Sequence, residues 1–276
     1  WLILTFLWLA MPAIADEAQQ YGIFGLVEKL SPLVVAGQQI DVPEDLPTIN
    51  LLGRGDPIAL GDTLALRVEM NEGQLVARRI LQIYPIVGPV SNVDGATAVI
   101  MGSAIHLPSD ATVKRGQWVA VSGFWSGEKV ITTRLRNLNG GWLGHLTGAI
   151  DAVDGTLGGS VVRDVPIPKD GFGNAIWMLS GSPERDGITV RLISSGLFGG
   201  PVGMTLWQGH ASLPIASQTY AIHGTGVVGT APDAQMPAAG ALITRCAQDG
   251  RIVTHAPEGQ EMIFLALECA RNTLAD

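Results

Sequence analysis

The chain repeats a ten-residue pattern, as IVGPVSNVDG at residues 86–95 and as LTGAIDAVDG at residues 146–155. Both copies place apolar residues, a glycine and an Asp-Gly pair at the same positions. The glycine permits a bend or bulge in a strand, and Asp-Gly supplies the positive φ that a tight hairpin requires. The repetition therefore predicts a chain built from repeated β units.

Composition supports a globular protein with many short strands. The chain has 276 residues, of which 47% are hydrophobic and 15% are charged, with 35 Gly and 16 Pro. This is enough apolar material for more than one core, and the frequent glycine and proline favour tight turns over long helices. The formal net charge of −8 does not favour general attraction to nucleic acid or to an anionic membrane.

The first residues have the pattern of an export signal. An apolar run covers residues 1–11, and Ala13 and Ala15 follow as small residues before Asp16. We expect cleavage after Ala15 and a periplasmic or secreted mature protein without a transmembrane anchor. The alternative is a buried or membrane-anchoring N-terminal helix.

Export also bears on the two cysteines, Cys246 and Cys269. In an oxidising compartment two thiols form a disulfide with each other more readily than they stay free or bind a metal. The alternative is a pair of buried thiols.

The repeats overlay with a constant spacing. Gly61 precedes Ile80 by 19 residues and Gly116 precedes Leu135 by the same number, whereas the loop before Gly61 is longer than its counterpart. Alternation along residues 117–123 and 130–138 predicts strands with one buried and one solvent-facing side. Four or five such strands in a short unit favour closure into a small, partly open barrel.

This overlay predicts the domain boundaries. We expect a signal peptide at 1–15 and three barrels at 16–83, 84–140 and 141–196. The remaining segment, 197–276, is predicted to be β-rich, either as a degenerate fourth barrel or as a cap held by the disulfide. Within it, the apolar run at 262–267 is predicted to be a strand.

One motif carries a family resemblance. The second unit contains GQWVAVSG at residues 116–123, a Gly-x-x-Val-x-Val-x-Gly strand after the bent glycine and the Asp-Gly turn. This arrangement resembles the tandem OB-like domain family of unknown function that occurs in exported bacterial proteins, over residues 21–193. The resemblance implies an all-β fold of tandem, partly open OB-like barrels, and it supplies no catalytic residues. Together with the cysteines, the predicted fold ends in a β-rich segment pinned by a disulfide.

The remaining motifs do not predict a cofactor, metal or catalytic site. GTGVVG at residues 224–229 matches a dinucleotide fingerprint, but Pro232 and Pro237 prevent the helix that such a site needs, so we predict no cofactor. The tripeptide Arg54-Gly55-Asp56 is interpreted as a turn. The five histidines are scattered, so no metal site is predicted. No catalytic residues are assigned, and a periplasmic hydrolase with a site assembled from distant strands is the alternative function.

Charge gives the single positive indication of function. Residues 85–138 hold five basic residues against three acidic ones, in a chain that is acidic overall. Basic groups beside aromatic rings on a barrel bind extended polymers by charge and stacking. We therefore predict a non-enzymatic envelope protein that binds an anionic polymer or an acidic partner through Trp118, Trp125, Arg134 and Arg136. Neither arginine is expected in a core, and the alternative is that the tryptophans pack between neighbouring barrels.

Overall fold

The computed structural model describes residues 19–53, 57–141, 143–166 and 175–269. The predicted signal peptide at 1–15 and the tripeptide at 54–56 lie outside the described residues. Within the described ranges the chain is almost entirely β, with one short α-helix and one 3-10 turn. No helix in these ranges is long and apolar enough to cross a membrane. The predicted all-β fold class is confirmed.

The strands fall into four consecutive sets, which we call units one to four. Unit one comprises β1 (Gln20–Leu30), β2 (Leu33–Val35), β3 (Gln38–Asp41), β4 (Thr48–Asn50), β5 (Thr63–Asn71) and β6 (Gln74–Ile83). Unit two comprises β7 (Ile86–Asp94), β8 (Thr97–Ile100), β9 (Ser103–His106), β10 (Trp118–Ser126) and β11 (Lys129–Leu138). Unit three comprises β12 (Gly144–Gly148), β13 (Thr156–Leu157), β14 (Ser160–Arg163), β15 (Trp177–Pro183) and β16 (Gly187–Ser195). Unit four comprises β17 (Thr205–His210), β18 (Thr219–Ile222), β19 (Val227–Thr230), the 3-10 turn Asp233–Gln235, β20 (Leu242–Gln248), β21 (Arg251–Ile252) and the helix α1 (Glu261–Ala266).

Units one and two each close a five-stranded ring. In unit one the ring runs β1-β2-β3-β6-β5 and returns to β1, and in unit two it runs β7-β8-β9-β11-β10 and returns to β7. The two rings have the same order, with one parallel pairing in each, between β3 and β6 and between β9 and β11. Each ring is therefore a small closed barrel of five strands. The long loop of unit one contributes β4, which pairs with β6 outside the ring.

Units three and four keep this order with a less complete ring. Their strands run β12-β15-β16-β14-β13 and β17-β20-β21-β19-β18, again with one parallel pair each. A single bridge joins Asp151 to Thr156 in unit three, and one joins Ala211 to Ile222 in unit four, where a strand pairing would close the ring. Unit four thus has the strand order of the other units, and whether it is a degenerate fourth barrel or a cap stays a prediction.

A β-bulge recurs at the same place in three units and explains the constant spacing in the sequence. The last two strands of units one, two and three slip by one residue, which leaves Arg78, Thr133 and Arg191 as the extra residues. Gly123 stands opposite the bulge of unit two, where a Cβ would overlap the carbonyl oxygen of Ile131. The extra residue turns the strand and re-aims the side chains beyond it.

The units assemble in two pairs. Strand β12 pairs with β7, so the first strands of the two repeat copies lie side by side and make one sheet of units two and three. Strand β17 pairs in parallel with β1, which joins unit four to unit one across most of the sequence. The first and last units therefore share a sheet, while the middle units share another.

The predicted strand at 262–267 is wrong, because Glu261–Ala266 forms the helix α1. Helix α1 inserts Ile263 and Phe264 into the core of unit one and Leu267 follows directly after it, while Met262 and Leu265 stay exposed. The buried positions follow helical spacing, and a short continuous apolar run does not distinguish a strand from a buried helix. Unit four thus supplies three apolar side chains, Ile263, Phe264 and Leu267, that fill the core of the first barrel, and we call them the plug.

The predicted disulfide is present and holds this plug. Cys246 on β20 is bonded to Cys269 just after α1, with their Cα atoms 5.5 Å apart and both side chains fully buried. Cys246 belongs to the sheet of unit four, and Cys269 follows the helix α1, which packs into the core of unit one. The bridge therefore fixes the plug to the strand beside it.

We predict that the Cys246→Ala/Cys269→Ala double variant loses about 3 kcal/mol of unfolding free energy, because its unfolded chain is less constrained. Urea unfolding of both proteins measures the difference. Thiol titration of the unreduced wild type under denaturing conditions is expected to find no free cysteine. Two titratable thiols, or equal unfolding midpoints, would contradict this role of the bridge.

Candidate functional site

The two predicted binding arginines meet a buried carboxylate of unit one. Arg134 Nη1 lies 2.6 Å from Asp62 Oδ1, and Arg136 Nη2 lies 3.8 Å from Asp62 Oδ2. Asp62 is 1% exposed, and its Oδ2 also accepts a hydrogen bond from the Ala59 backbone N–H at 2.8 Å. A buried carboxylate needs such partners because it has lost its water. The arginines thus join unit two to unit one.

Further hydrogen bonds surround this ion pair. The Thr63 hydroxyl donates to the Gly123 carbonyl oxygen and accepts from the Gly123 N–H, at 3.1 and 2.9 Å. The Thr133 hydroxyl donates to the Gly61 carbonyl oxygen at 2.6 Å. Both contacts use the bulge of β10 and β11, so the bulge of unit two forms part of the interface with unit one. The strand side that was predicted to face solvent is therefore partly covered by unit one.

Trp125 lies in the interior. It is 4% exposed, and its indole N–H donates to the Thr147 carbonyl oxygen at 2.8 Å. Its ring packs so closely on Gly158 and Gly224 that a side chain at either glycine would overlap it. Trp125 therefore contacts units three and four, which corresponds to the packing alternative of the sequence prediction. The sequence contains a signal for this burial. Side chains alternate along β10, and Trp125 is an even number of residues from the core residue Val121, so both lie on the same side of the strand.

Trp118 remains near the two arginines. It shares a sheet face with Arg134 and Arg136, because its strand partner is Leu138 and the register continues in steps of two. Its ring is half-buried and covers Gly141. The structure thus brings together three of the four predicted residues and separates Trp125 from them. A binding role for the three stays a prediction.

The outer side of β10 enters an apolar core between units. Phe124 lies 5.7 Å from Phe24 of unit one and 6.3 Å from His210 of unit four, and Phe24 lies 5.3 Å from Trp207, measured between ring centroids. Residues of all four units take part in this cluster, which we call the central core. It includes Ile176 and Met178 from unit three. Both faces of β10 are buried as a result.

Two histidines have polar neighbours that invite a catalytic interpretation. His145 Nδ1 lies 2.7 Å from the Ser180 hydroxyl oxygen, on adjacent strands. Burial lowers the pKa of His145 below its ordinary value, and burial together with nearby His210 lowers the pKa of His223. In the described part of the chain no carboxylate hydrogen-bonds to His145, and both members of the pair are buried. Acyl transfer needs an oriented base and an accessible nucleophile, which this pair does not offer.

The glycine fingerprint is a hairpin. Gly224 and Gly226 have φ values of +71° and +69°, and the chain continues directly into the strand β19. A dinucleotide site needs a helix N-terminus at this point to receive the pyrophosphate. Among the described residues no group of His, Cys, Asp and Glu side chains is arranged to hold a metal ion.

A cavity lies on unit one. It has a volume of about 510 Å³ and follows β3 between the β1-β2 turn and the β5-β6 turn, with Ala266 of α1 on its far side. Polar residues of the groove are Gln38, Gln39, Asp41 and Gln74. Three amides and one carboxylate suit a neutral polar ligand better than an anion.

No protein-family model matches this chain, and no curated protein or solved structure is significantly similar to it. The β-barrel architecture therefore stands on the strand pairings alone, and membership of the exported OB-like family stays a prediction.

We predict that Arg134→Ala lowers the unfolding free energy by about 2 kcal/mol, because it leaves the buried Asp62 carboxylate without its closest partner. The exposed Lys129 provides the control, since Lys129→Ala removes the same charge from the same strand and is expected to change stability by less than about 0.5 kcal/mol. Urea unfolding of Asp62→Asn, Arg134→Ala and the double variant gives their coupling energy. Equal effects of the Arg134 and Lys129 variants would show that the ion pair does not stabilise the interface.

We also predict a loss of stability in mild acid. The pKa of His145 is lowered in the folded protein, so as the pH falls below the ordinary value of 6.5 the unfolded chain takes up a proton first. The contribution of His145 is thus complete above that pH and decreases as the pH approaches the folded-state pKa. Urea midpoints measured from about pH 7.5 to about pH 5.5 are expected to fall less in His145→Gln than in the wild type. Parallel curves would contradict the prediction.

Proposed function

We propose that the protein is a non-enzymatic, exported binding or structural module of the bacterial cell envelope, which holds an extended anionic polymer or an acidic partner through unit two. In this proposal the mature chain starts after residue 15, acts in the periplasm or outside the cell, and uses tandem OB-like domains near the predicted boundaries. The disulfide supports it, because such bonds persist in oxidising compartments.

The observation that carries the proposal is the charge that unit two keeps on its surface. Lys114, Arg115 and Lys129 are exposed, and none has an ion-pair partner in the described part of the chain. Arg134 and Arg136, by contrast, lie against Asp62. Three of the five cations that the sequence places in this unit are therefore available away from the interface, alongside the exposed carboxylates of Asp94, Asp110 and Glu128.

The scaffold also suits a binding role. The four units share the central core, so they present their loops in a fixed relation to one another. A rigid surface binds with less loss of conformational entropy than a mobile one.

A second candidate follows from the groove of unit one. Its amides and its volume favour a neutral polar polymer such as an uncharged glycan chain. The test of the first candidate therefore includes an uncharged polymer.

We predict that dextran sulfate binds the mature protein and that its affinity falls as sodium chloride rises, because surface charge attraction is screened. Calorimetric titration against dextran sulfate and against uncharged dextran separates the two candidates. Lys114→Ala/Lys129→Ala is expected to weaken binding and to flatten the salt dependence, with its melting temperature unchanged.

Binding of neither polymer would contradict both candidates. If both polymers bind and the affinity does not depend on salt, the binding site is the groove of unit one and not the charged surface of unit two.

A further inference from the structure

A cavity of about 360 Å³ lies where unit two meets the last hairpin of unit three. It is lined by Ser91, Asn92 and Val99 on β7 and β8, by Arg115 from the loop before β10, and by Arg185 from the turn between β15 and β16. Two arginines from different units therefore line one concave surface. It differs from the Asp62 interface and from the groove of unit one.

The local backbone explains why polar groups line this cavity. Strand β7 has a register shift between Val90 and Asn92, with Ser91 as the extra residue. A bulge of this kind re-aims the neighbouring side chains. The Ser91 hydroxyl donates to the Val99 carbonyl oxygen at 3.0 Å, so its hydrogen is already used. The side-chain donors that remain are the Asn92 amide and the two guanidinium groups.

A close contact between units positions Arg185. Gly102 of unit two has a φ of +89°, and a Cβ there would lie 2.5 Å from the Asp186 carbonyl oxygen. The turn itself is closed by a hydrogen bond from the Glu184 N–H to the Gly187 carbonyl oxygen at 2.8 Å. Gly102 thus lets the turn approach unit two, and the turn presents Arg185 to the cavity.

The lining of this cavity is positively charged. Neither Arg115 nor Arg185 has an ion pair with a described residue, and no Asp or Glu lines the cavity. Two carboxylates flank Arg185 in sequence. Asp186 accepts a hydrogen bond from Arg163 at 2.8 Å and is also attracted by the charge of Arg185, and Glu184 accepts a hydrogen bond from the Thr189 hydroxyl at 3.1 Å. Two cations that share a concave surface repel each other, and a bound anion removes that repulsion.

We infer that this cavity binds a compact oxyanion, namely a phosphate, sulfate or carboxylate group, between Arg115 and Arg185, with the Asn92 amide as a third donor. The inference rests on the proposed anion-binding function and gives it a place and a ligand chemistry. Guanidinium groups suit such a ligand because they offer paired N–H donors in one plane. The oxyanion is either a free ion or a group on a polymer.

The test is a calorimetric titration of the full chain with inorganic phosphate, with total ionic strength held constant by sodium chloride. We expect saturable binding that is about tenfold weaker in Arg115→Ala and in Arg185→Ala, because each removes one charge-assisted donor group. Arg251→Ala is the matched control, since it removes one exposed arginine of unit four away from the cavity and is expected to bind phosphate as the wild type does. Arg115→Lys keeps the charge and is expected to give an intermediate affinity.

A second arm repeats the titration with dextran sulfate. If phosphate does not saturate the wild type, or if all variants bind it equally, the cavity is not an anion site, whether or not dextran sulfate still binds elsewhere on unit two. If phosphate binds at the cavity and dextran sulfate does not bind, the ligand is a free ion and the polymer proposal fails instead. Equal melting temperatures of the variants exclude unfolding as the cause of lost binding.

Discussion

The structure depends on an apolar core that lies between the barrels. Phe24, Phe124 and Trp207 bring units one, two and four into contact, and unit three adds apolar side chains beside them. A strand such as β10 is therefore buried on its inner side by its own barrel and on its outer side by its neighbours. A single unit in isolation would expose that outer side to water, which is unfavourable for a contiguous apolar surface. The four units consequently form one scaffold.

Burial at this interface also determines which charges remain available for a ligand. Asp62 has lost its water, and the guanidinium groups of Arg134 and Arg136 take the place of that water. Cations farther from the central core, such as Arg115, keep their hydration and are free to meet a ligand. The same assembly thus separates the positive charges of unit two into a structural pair and a set that faces solvent.

Local patterns in the sequence predict the units well and their assembly poorly. The Asp-Gly turns, the constant spacing across the bulge and the cysteine pair depend on residues close in the chain or on simple counting, and the structure bears them out. Alternation shows which side of a strand is apolar, but it does not show what covers the other side. Burial of Asp62 was missed for this reason, although comparison of the units gives a signal, because unit two has the neutral Gln117 at the same place after its glycine. The helix α1 was missed because its apolar run is too short to show a period.

The helix in unit one has a consequence for how the protein is made. The first barrel receives its plug from residues near the end of the chain, and its strand β1 pairs with β17. During synthesis the N-terminal barrel therefore stays incomplete until almost the whole chain has appeared, whereas the middle units find all their sheet partners between residues 86 and 195. Contacts between such distant residues are slow to form, and an incomplete barrel exposes apolar surface in the meantime. Unit one is thus translated before unit four but acquires its final interior only after the strands and helix of unit four have appeared.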